Sequence, residues 1–407
     1  MRISTTQIFQ NGIDTLQRNQ QELNRTQLQL STGKRILSPS DDPAGAVQAL
    51  QFRSGIEKVE QYQRNGTMLE QRLRSSETVV ASVADGLQRV RELALQGNNA
   101  TQTNETRGFI AGEIRQALDE LLQLANSRDA NGEYIFAGND SLTQPFVNTA
   151  DGVSFAGDAA QRSLQVSPVR QIQAGDSGAR VFMDIPNGNG NFVVLDDSNN
   201  TGTGVVSSTA FSGEWPGNLT VEFSEVDGQL EYRIPNPEDP EGEPLVAPTI
   251  FQSGQPIVYA PEDGDFSVQF TLEGRPADAD SFRVLQAEGQ DLFRTYSELA
   301  DALAQPVAGA SDQARLNNAV NRALVDLDQG LGNLLDVRAS LGSRLQAVEN
   351  QNRINEDQVL QLRSTLSEIE DLDYAEAISR FNLQQTALQA AQQTYVQIQR
   401  LSLFNFL

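Results

Sequence analysis

Any chemistry in this chain would have to be done by carboxylates. The 407-residue sequence contains no cysteine and no histidine, and Lys34 and Lys58 are its only lysines. Thiolate nucleophiles, disulfides, Cys-type zinc sites and iron–sulfur clusters are thereby removed. An imidazole base, a Ser-His-Asp triad and an HExxH zinc helix are removed as well. Acidic pairs do occur, with Asp196-Asp197 and Asp263 near Asp265 as examples. Two carboxylates can share acid–base work when burial raises the pKa of one of them. These pairs sit in Gly/Pro-rich turns, which read as solvated loops. There is no D-x-[DN]-x-[DN]-G-x5-E calcium loop. Asn187-Gly188-Asn189-Gly190 lacks the Gly-Lys-Ser/Thr that completes a phosphate loop. The expectation is a protein with no catalytic residue, no metal ligand and no cofactor.

Charge narrows the partners. With 54 acids against 30 basic residues, the formal net charge is −24. Nucleic acid and anionic membrane surfaces both require a positive footprint, so neither is expected as a partner. The charge is unevenly placed. Residues 129–290 hold 25 acids against 6 arginines, whereas the rest of the chain holds 29 acids against 24 basic residues. Such a block reads as a solvated, self-repelling surface. No apolar run approaches the roughly 18–20 residues that span a bilayer. Residues 1–20 carry no apolar segment of the kind that makes a secretory signal. At 38% hydrophobic residues, the chain has enough material for an ordinary soluble core.

The elements that would position these groups are helical at both ends and β-patterned in the middle. Phe9, Leu16, Leu23 and Leu30 fall seven apart, and Ile13 completes a heptad seam in which Gln20 and Gln27 fill two polar positions. The seam breaks at Gly33. In Ser38-Pro39-Ser40-Asp41-Asp42-Pro43, Asp42 reads as an N-cap and Pro43 as a first helical residue. A long helix is expected from there to Gln96, with a stripe running from Phe52 and Ile56 through Leu69, Leu73, Val80 and Leu87 to Ala94. At about 1.5 Å per residue it would be on the order of 80 Å long and would need partner helices to cover its stripe. Gly97 to Thr103 reads as a linker, Asn104 to Ser127 as an amphipathic helix, and Asn131-Gly132 as a hairpin turn.

Between residues 140 and 288 the pattern changes. Short segments such as Phe192 to Leu195, Leu219 to Phe223 and Phe266 to Phe270 alternate with turn residues, an all-β signature. Pro235 to Pro248 reads as an exposed loop. Helix resumes at Asp291 to Leu303, again from Ser311 along a seam from Leu327 to Ile369, and finally from Tyr374 through Ile378, Phe381, Leu388, Ala391, Tyr395 and Ile398. The closing Leu401-Ser402-Leu403-Phe404-Asn405-Phe406-Leu407 is apolar where chains usually fray, which suggests a segment buried on assembly. The fold class expected is α+β: a long α-helical coiled-coil rod formed by both chain ends, with a β-rich central domain inserted between them.

Several separated blocks resemble bacterial flagellins. They are Leu30-Ser31-Thr32-Gly33-Lys34-Arg35-Ile36 with Asp41-Asp42-Pro43-Ala44-Gly45, Leu87 to Ala94, Ile114 to Ala125 with Asn131 to Gly138, and Ser367-Glu368-Ile369-Glu370-Asp371-Leu372-Asp373-Tyr374-Ala375. Within that family, the opening Met1-Arg2-Ile3-Ser4-Thr5 and the closing Ser402 to Leu407 look like the branch that joins hook to filament. The resemblance implies a structural adaptor outside the cell, exported through the flagellar type III apparatus without a cleaved signal. It implies as partners neighbouring copies of itself, the other hook-associated junction protein, filament flagellin, and a cytoplasmic export chaperone near the C-terminus. Five segments are expected: an assembly helix and turn at 1–42, a helical rod with a hairpin at 43–139, an outer β-rich domain at 140–288, a helical return at 289–372 and a C-terminal assembly helix at 373–407. The role of the insertion at 187–278 is left open by the resemblance. The assembly residues expected are Phe9, Ile13, Leu16, Leu23, Leu30, Tyr395, Ile398, Leu401, Phe404 and Phe406, each of which could equally pack within one chain. Copies would associate head to tail, building a tube by repeated rotation. The rival readings are a filament flagellin and a carbohydrate-binding or hydrolytic module within residues 140–288.

Overall fold

The computed structural model describes residues 5–150, 152–237, 239, 242–261, 264 and 266–404. Asp263 and Asp265 lie outside the described residues, as do the first four and last three residues. Helices α1 (Thr5–Thr32), α2 (Pro43–Gly97) and α3 (Asn104–Ala125) precede the strands, and α4 (Leu292–Ala304), α5 (Ala310–Glu370) and α6 (Tyr374–Phe404) follow them. Helical ends around a β-rich centre is the fold class expected from the sequence. The chain forms two compact units. One combines residues 1–66, 166–169 and 350–407, and the other residues 67–165 and 170–349, so α2 and α5 contribute to both.

The second unit contains the strands, apart from Val166 and Ser167 at the end of β3, which belong to the first. Three short pairs, β1 (Phe146–Thr149) with β2 (Gly152–Phe155), β3 (Ser163–Ser167) with β4 (Arg170–Gln173), and β5 (Ile185–Pro186) with β14 (Gly289–Gln290), accompany two antiparallel sheets. One sheet has the order β10-β9-β8-β13-β6, built from β6 (Phe192–Asp196), β8 (Leu219–Val226), β9 (Gln229–Ile234), β10 (Val246–Ile250) and β13 (Ser281–Gln286). The other has the order β11-β12-β7, built from β7 (Val205–Ser212), β11 (Pro256–Tyr259) and β12 (Ser267–Glu273). Alternate residues of both sheets enter one core: Leu219, Val221 and Phe223 from β8 meet Val268, Phe270 and Leu272 from β12, with Trp215 packed at the side. The segment Pro235 to Pro248, expected as a loop, gives its last three residues to β10. This is an edge strand, where the missing N–H of Pro248 costs no ladder bond.

The helical part of this unit follows its stripe. Leu69, Leu73, Val80, Leu87, Val90 and Ala94 of α2 are all fully buried, and so are Leu327, Leu334 and Val348 of α5. Ser76, which interrupts the α2 stripe, is buried because its hydroxyl donates to the carbonyl of Arg72 at 3.0 Å. Gly330 is required by close approach, since a Cβ there would stand 2.6 Å from a Leu292 methyl and 3.0 Å from a Leu87 methyl. Beside this packing lies an aromatic cluster. Phe146 contacts Phe155, Phe182 and Phe293 at ring-centre distances of 5.2–5.3 Å, and Phe182 sits in a five-residue π-helical turn, Ala179–Met183.

Polar side chains of α5 hold the sheet edges. Asn318 accepts from the Val206 N–H at 2.9 Å and donates to the Gly204 carbonyl at 3.0 Å, while Asn321 donates to the Val206 carbonyl at 3.1 Å. The edge strand β7 thus finds its missing ladder partners on a helix. Arg322 pairs with Asp196 of β6, so the first acidic pair singled out in the sequence is structural. Its neighbour Asp197 accepts from the Asn199 backbone N–H at 2.9 Å and shapes a turn. Asp326, buried at 8% exposure, accepts from the Gly188 N–H at 2.7 Å in a cleft of about 690 Å³ that Gln290, Thr295, Glu298 and Arg322 also line. Burial pushes its pKa up to about 6 against the pull of the Gly188 N–H and Arg322, and the Glu298 carboxylate adds to the rise. The Asn187-Gly188-Asn189-Gly190 run is a turn into β6, with φ of 57° at Gly188 and 85° at Gly190.

Two outcomes follow from these polar contacts. Asn318→Ala leaves a buried N–H and a buried carbonyl without partners and should lower stability by about 1–3 kcal/mol, read as a shift in the urea midpoint. An unchanged midpoint would contradict the edge-holding role. Asp326 has a raised folded pKa, so its contribution is most favourable below about pH 4 and is lost as pH rises through about 6. Asp326→Asn keeps the acceptor for Gly188 and should raise stability above pH 6 by up to about 3 kcal/mol while changing little near pH 4. Melting curves across that range give the comparison.

Candidate assembly site at the paired chain ends

The first unit is organised by the two chain ends. Helix α1 lies along α6, and the pair is antiparallel: a Cβ on Gly12 would stand 3.1 Å from the Tyr395 ring, and one on Gly33 would stand 2.8 Å from the Tyr374 hydroxyl. Among the residues whose side chains are described, the half-buried and buried positions of α1 are Gly12, Leu16, Asn19, Leu23, Thr26, Gln29 and Leu30. Those of α6 are Ala377, Phe381, Gln384, Leu388, Ala391 and Tyr395. Both sets repeat every three or four residues, so each forms one face of its helix.

The expected seam is therefore correct at Leu16, Leu23 and Leu30 and displaced by one residue between them. Gly12, Asn19 and Thr26 face inward where Ile13, Gln20 and Gln27 were expected. The reason is steric at one end, where the Tyr395 ring approaches so closely that a Cβ on residue 12 would make it shift by a few tenths of an ångström. Further along, the Thr26 hydroxyl satisfies itself on the Glu22 carbonyl at 3.1 Å and tolerates burial. Ile13 stands 42% exposed beside the seam, and Ile378 of α6 is 50% exposed while Ala377 takes the inward position. Phe9, Ile398, Leu401 and Phe404 lie on α1 and α6, but their side chains fall outside the described residues, and so does the whole of Phe406. Of the ten expected assembly residues, the pairing thus brings Leu16, Leu23, Leu30 and Tyr395 into one seam.

The lower end of the pair is locked by residues that periodicity could not single out. Gly33, at φ 69°, ends α1 in the left-handed conformation that glycine favours, and the Leu372 N–H donates to its carbonyl at 2.9 Å. The Arg35 N–H donates to the Glu370 carbonyl at 2.7 Å, and Lys34 and Asp371 pair as an isolated antiparallel bridge. Glu370, its side chain 8% exposed, receives Lys34 Nζ at 3.1 Å and Arg53 Nη2 at 2.6 Å. The Arg35 guanidinium donates to the Ile369 carbonyl at 2.9 Å, and Gln29 donates to the Arg35 carbonyl at 2.7 Å. Burial alone would raise the pKa of Glu370, but the hydrogen bonds from Arg53 and Lys34 outweigh it and hold the carboxyl below its usual range.

The neighbouring acids finish the local folding. Asp42 accepts from the Gly45 N–H at 2.9 Å and caps α2 as the sequence led one to expect. Asp41 accepts from Leu37 and Ser38 at 3.0 Å each and pairs with Arg25 at 2.8 Å, and Asp373 accepts from Ala375 at 2.9 Å at the start of α6. What this arrangement can do is hold two helices side by side. Away from the seam Leu28, Leu383 and Val396 remain 56%, 72% and 45% exposed, so the pair keeps apolar surface for further helices.

Glu370→Gln removes the charge that three elements share and should cost about 1–2 kcal/mol at pH 7. A depressed folded pKa means the carboxylate's contribution is present above about pH 4.3 and is lost as pH falls through the lowered folded value, so the variant's deficit should be smaller at pH 3 than at pH 7. Urea titrations at the two pH values measure this, and an equal deficit at both would contradict the charge-assisted lock.

The bacterial flagellin N-terminal helical region matches residues 3–141, and the bacterial flagellin C-terminal helical region matches residues 324–407. The flagellar hook-associated protein 3 of Escherichia coli strain K12 is 26% identical over 405 residues, covering 99% of each chain. The crystal structure of flagellar hook-associated protein-3 from Legionella pneumophila is 31% identical with a TM-score of 0.72, covering 78% of this chain and 98% of the other. A second Legionella pneumophila crystal structure, of the flagellar junction protein FlgL, is 29% identical with a TM-score of 0.70, covering 80% of this chain and all of the other. By full-length similarity and by shared fold, the chain belongs to the flagellar hook-associated protein 3 family of flagellin-like proteins.

Proposed function

We propose that this chain is the structural adaptor that joins the flagellar hook to the filament outside the cell, and that it does so by self-association of its paired ends. The observation that carries the proposal is the α1–α6 pair. In the pair its large residues Leu16, Leu23, Leu30, Phe381, Leu388 and Tyr395 are only half-buried, so two helices alone leave apolar surface uncovered. Its flanks leave Leu28, Leu383 and Val396 uncovered. A helix pair of this kind gains most of its stability from neighbours, and the neighbours available in a tube of identical subunits are copies of the same pair. On this reading Phe9, Ile13, Leu16, Leu23, Leu30, Tyr395, Ile398, Leu401, Phe404 and Phe406 act at or beside subunit contacts.

Similarity over the whole chain to proteins named for hook association favours the junction over the filament, since the flagellin descriptions match the two ends alone. The partners are then further copies, the other hook-associated junction protein at one end and filament flagellin at the other, with an export chaperone engaging α6 before secretion. The protein works without catalysis. The acidic middle would keep the central region solvated while the nearly balanced ends pack together.

Deleting the gene should give bare hooks and flagellin shed into the medium, and the full chain should restore filaments. A chain lacking residues 376–407 should keep the thermal transition of the second unit, which contains neither α1 nor α6, yet fail to restore filaments. Filaments on hooks carrying the truncated chain would overturn the proposal.

A further inference from the structure

The Asn-Gly turn that marks a hairpin in the sequence has a second property. Asn-Gly is the dipeptide in which a backbone amide nitrogen most easily reaches the preceding side-chain carbon, because glycine offers no steric barrier. The chain holds five such pairs, beginning at Asn11, Asn65, Asn131, Asn187 and Asn189. We infer that, of the four Asn-Gly pairs outside α1, Asn131 is the one that deamidates in the folded chain and that the fold protects Asn65, Asn187 and Asn189.

Asn65-Gly66 lies inside α2, where helical backbone geometry holds the Gly66 nitrogen away from the side chain, and Gly66 is itself buried. Asn187 accepts from the Glu288 N–H at 3.0 Å, and the Gly188 N–H is committed to Asp326 at 2.7 Å. Asn189 uses both ends of its amide: it accepts from Asn191 and Phe192 at 3.0 and 2.9 Å and donates to Thr209 at 3.1 Å. Asn131 differs on each count. Both Asn131 and Gly132 are exposed, no side-chain hydrogen bond holds the Asn131 amide among the described residues, and nothing lies within 4 Å of a Cβ built on Gly132. Space for the five-membered ring is therefore present. The Gly132 N–H bonds the Asp129 carbonyl at 3.0 Å, so reaction at Asn131 requires that one bond to open, in a turn whose Asn131 and Gly132 are both exposed.

In the reaction hydroxide removes the Gly132 amide proton, and that nitrogen bonds to Asn131 Cγ. The Cγ–Nδ2 bond breaks and ammonia leaves, giving a succinimide. Water then adds to either ring carbonyl, and the corresponding C–N bond breaks to leave aspartate or isoaspartate at position 131. The new carboxylate lies beside a network in which Glu133 receives Arg72 at 2.9 Å and Arg162 at 3.0 Å. An isoaspartate also lengthens the backbone between the two N–H groups, of Asn131 and Glu133, that Asp129 accepts at 2.8 and 3.1 Å.

The test is incubation of the full chain at mildly alkaline pH and 37 °C, followed by peptide mapping of isoaspartate with protein isoaspartyl methyltransferase. The comparison is made against 65, 187 and 189, because Asn11 lies on the assembling helix α1. Folded chain should carry label at 131 at least about tenfold above each of those three, since protected sites react only through local opening. Chain unfolded in urea should label the four positions within a few-fold of one another, and Asn131→Gln should remove the dominant signal from folded protein. Comparable labelling of the folded chain at 187 or 189, or the same ratio in folded and unfolded chain, would overturn the assignment.

Discussion

The carboxylate of Glu370 is where the two ends of the chain are joined. It is nearly buried and receives Lys34 from just past α1 and Arg53 from α2, while its own residue closes α5. A buried carboxylate left alone would be costly, and two cations with a partly solvated remainder of the charge make it tolerable. Around it the backbone makes two cross-chain hydrogen bonds, from Arg35 to Glu370 and from Leu372 to Gly33. These fix where α6 starts relative to where α1 stops. Once that point is set, the antiparallel register of the pair follows, with Gly33 beside Tyr374 at one end and Gly12 beside Tyr395 at the other. The large seam residues are only half-buried and alternate with small and polar ones, so the lock at Glu370 adds the fixed point that their packing lacks.

The same device recurs in the second unit. Asn318 and Asn321 pin an edge strand to α5, and Asp326 pins the turn before β6. In each case a polar side chain on a long helix meets backbone groups that would otherwise need water. Hydrophobic burial supplies most of the driving force, through the α2 and α5 stripes and the two-sheet core, and the polar contacts select one arrangement among those the stripes allow. Asp326 shows the cost of that choice, since its burial disfavours the charged form at neutral pH.

Much of this was legible in the amino-acid sequence because it is periodic. The α2 stripe, the Asp42 cap, the strands around Val194, Val221 and Val268 and the seam positions Leu16, Leu23 and Leu30 all follow from spacing. What escaped was set by contacts between residues far apart in the chain. The inward turn of Gly12, Asn19 and Thr26 depends on where α6 lies, which no heptad reveals. Lys34, Arg53 and Glu370 look like ordinary surface charges until their elements cross. Asn355, 1% exposed and bonded to the Val166 carbonyl at 3.0 Å, sits where an apolar seam residue would be expected and carries no local mark of its role. The family motifs were the one hint, because Leu30 to Ile36 and Ser367 to Ala375 are the blocks that meet at Glu370. Their chemical purpose becomes apparent only when they are placed together.

On the proposed function, each chain pairs its own ends and subunits assemble through the paired form. A chain without native cysteine offers a direct measurement. Gly12→Cys combined with Tyr395→Cys places the only two thiols where a glycine and a tyrosine ring now touch, and oxidation of hook-tip assemblies carrying that chain reports which ends are neighbours. The expected result is a disulfide closed within single chains, seen as a fast-migrating monomer after denaturation. A ladder of covalent dimers and higher oligomers would show that the helix pair forms between subunits and would contradict it.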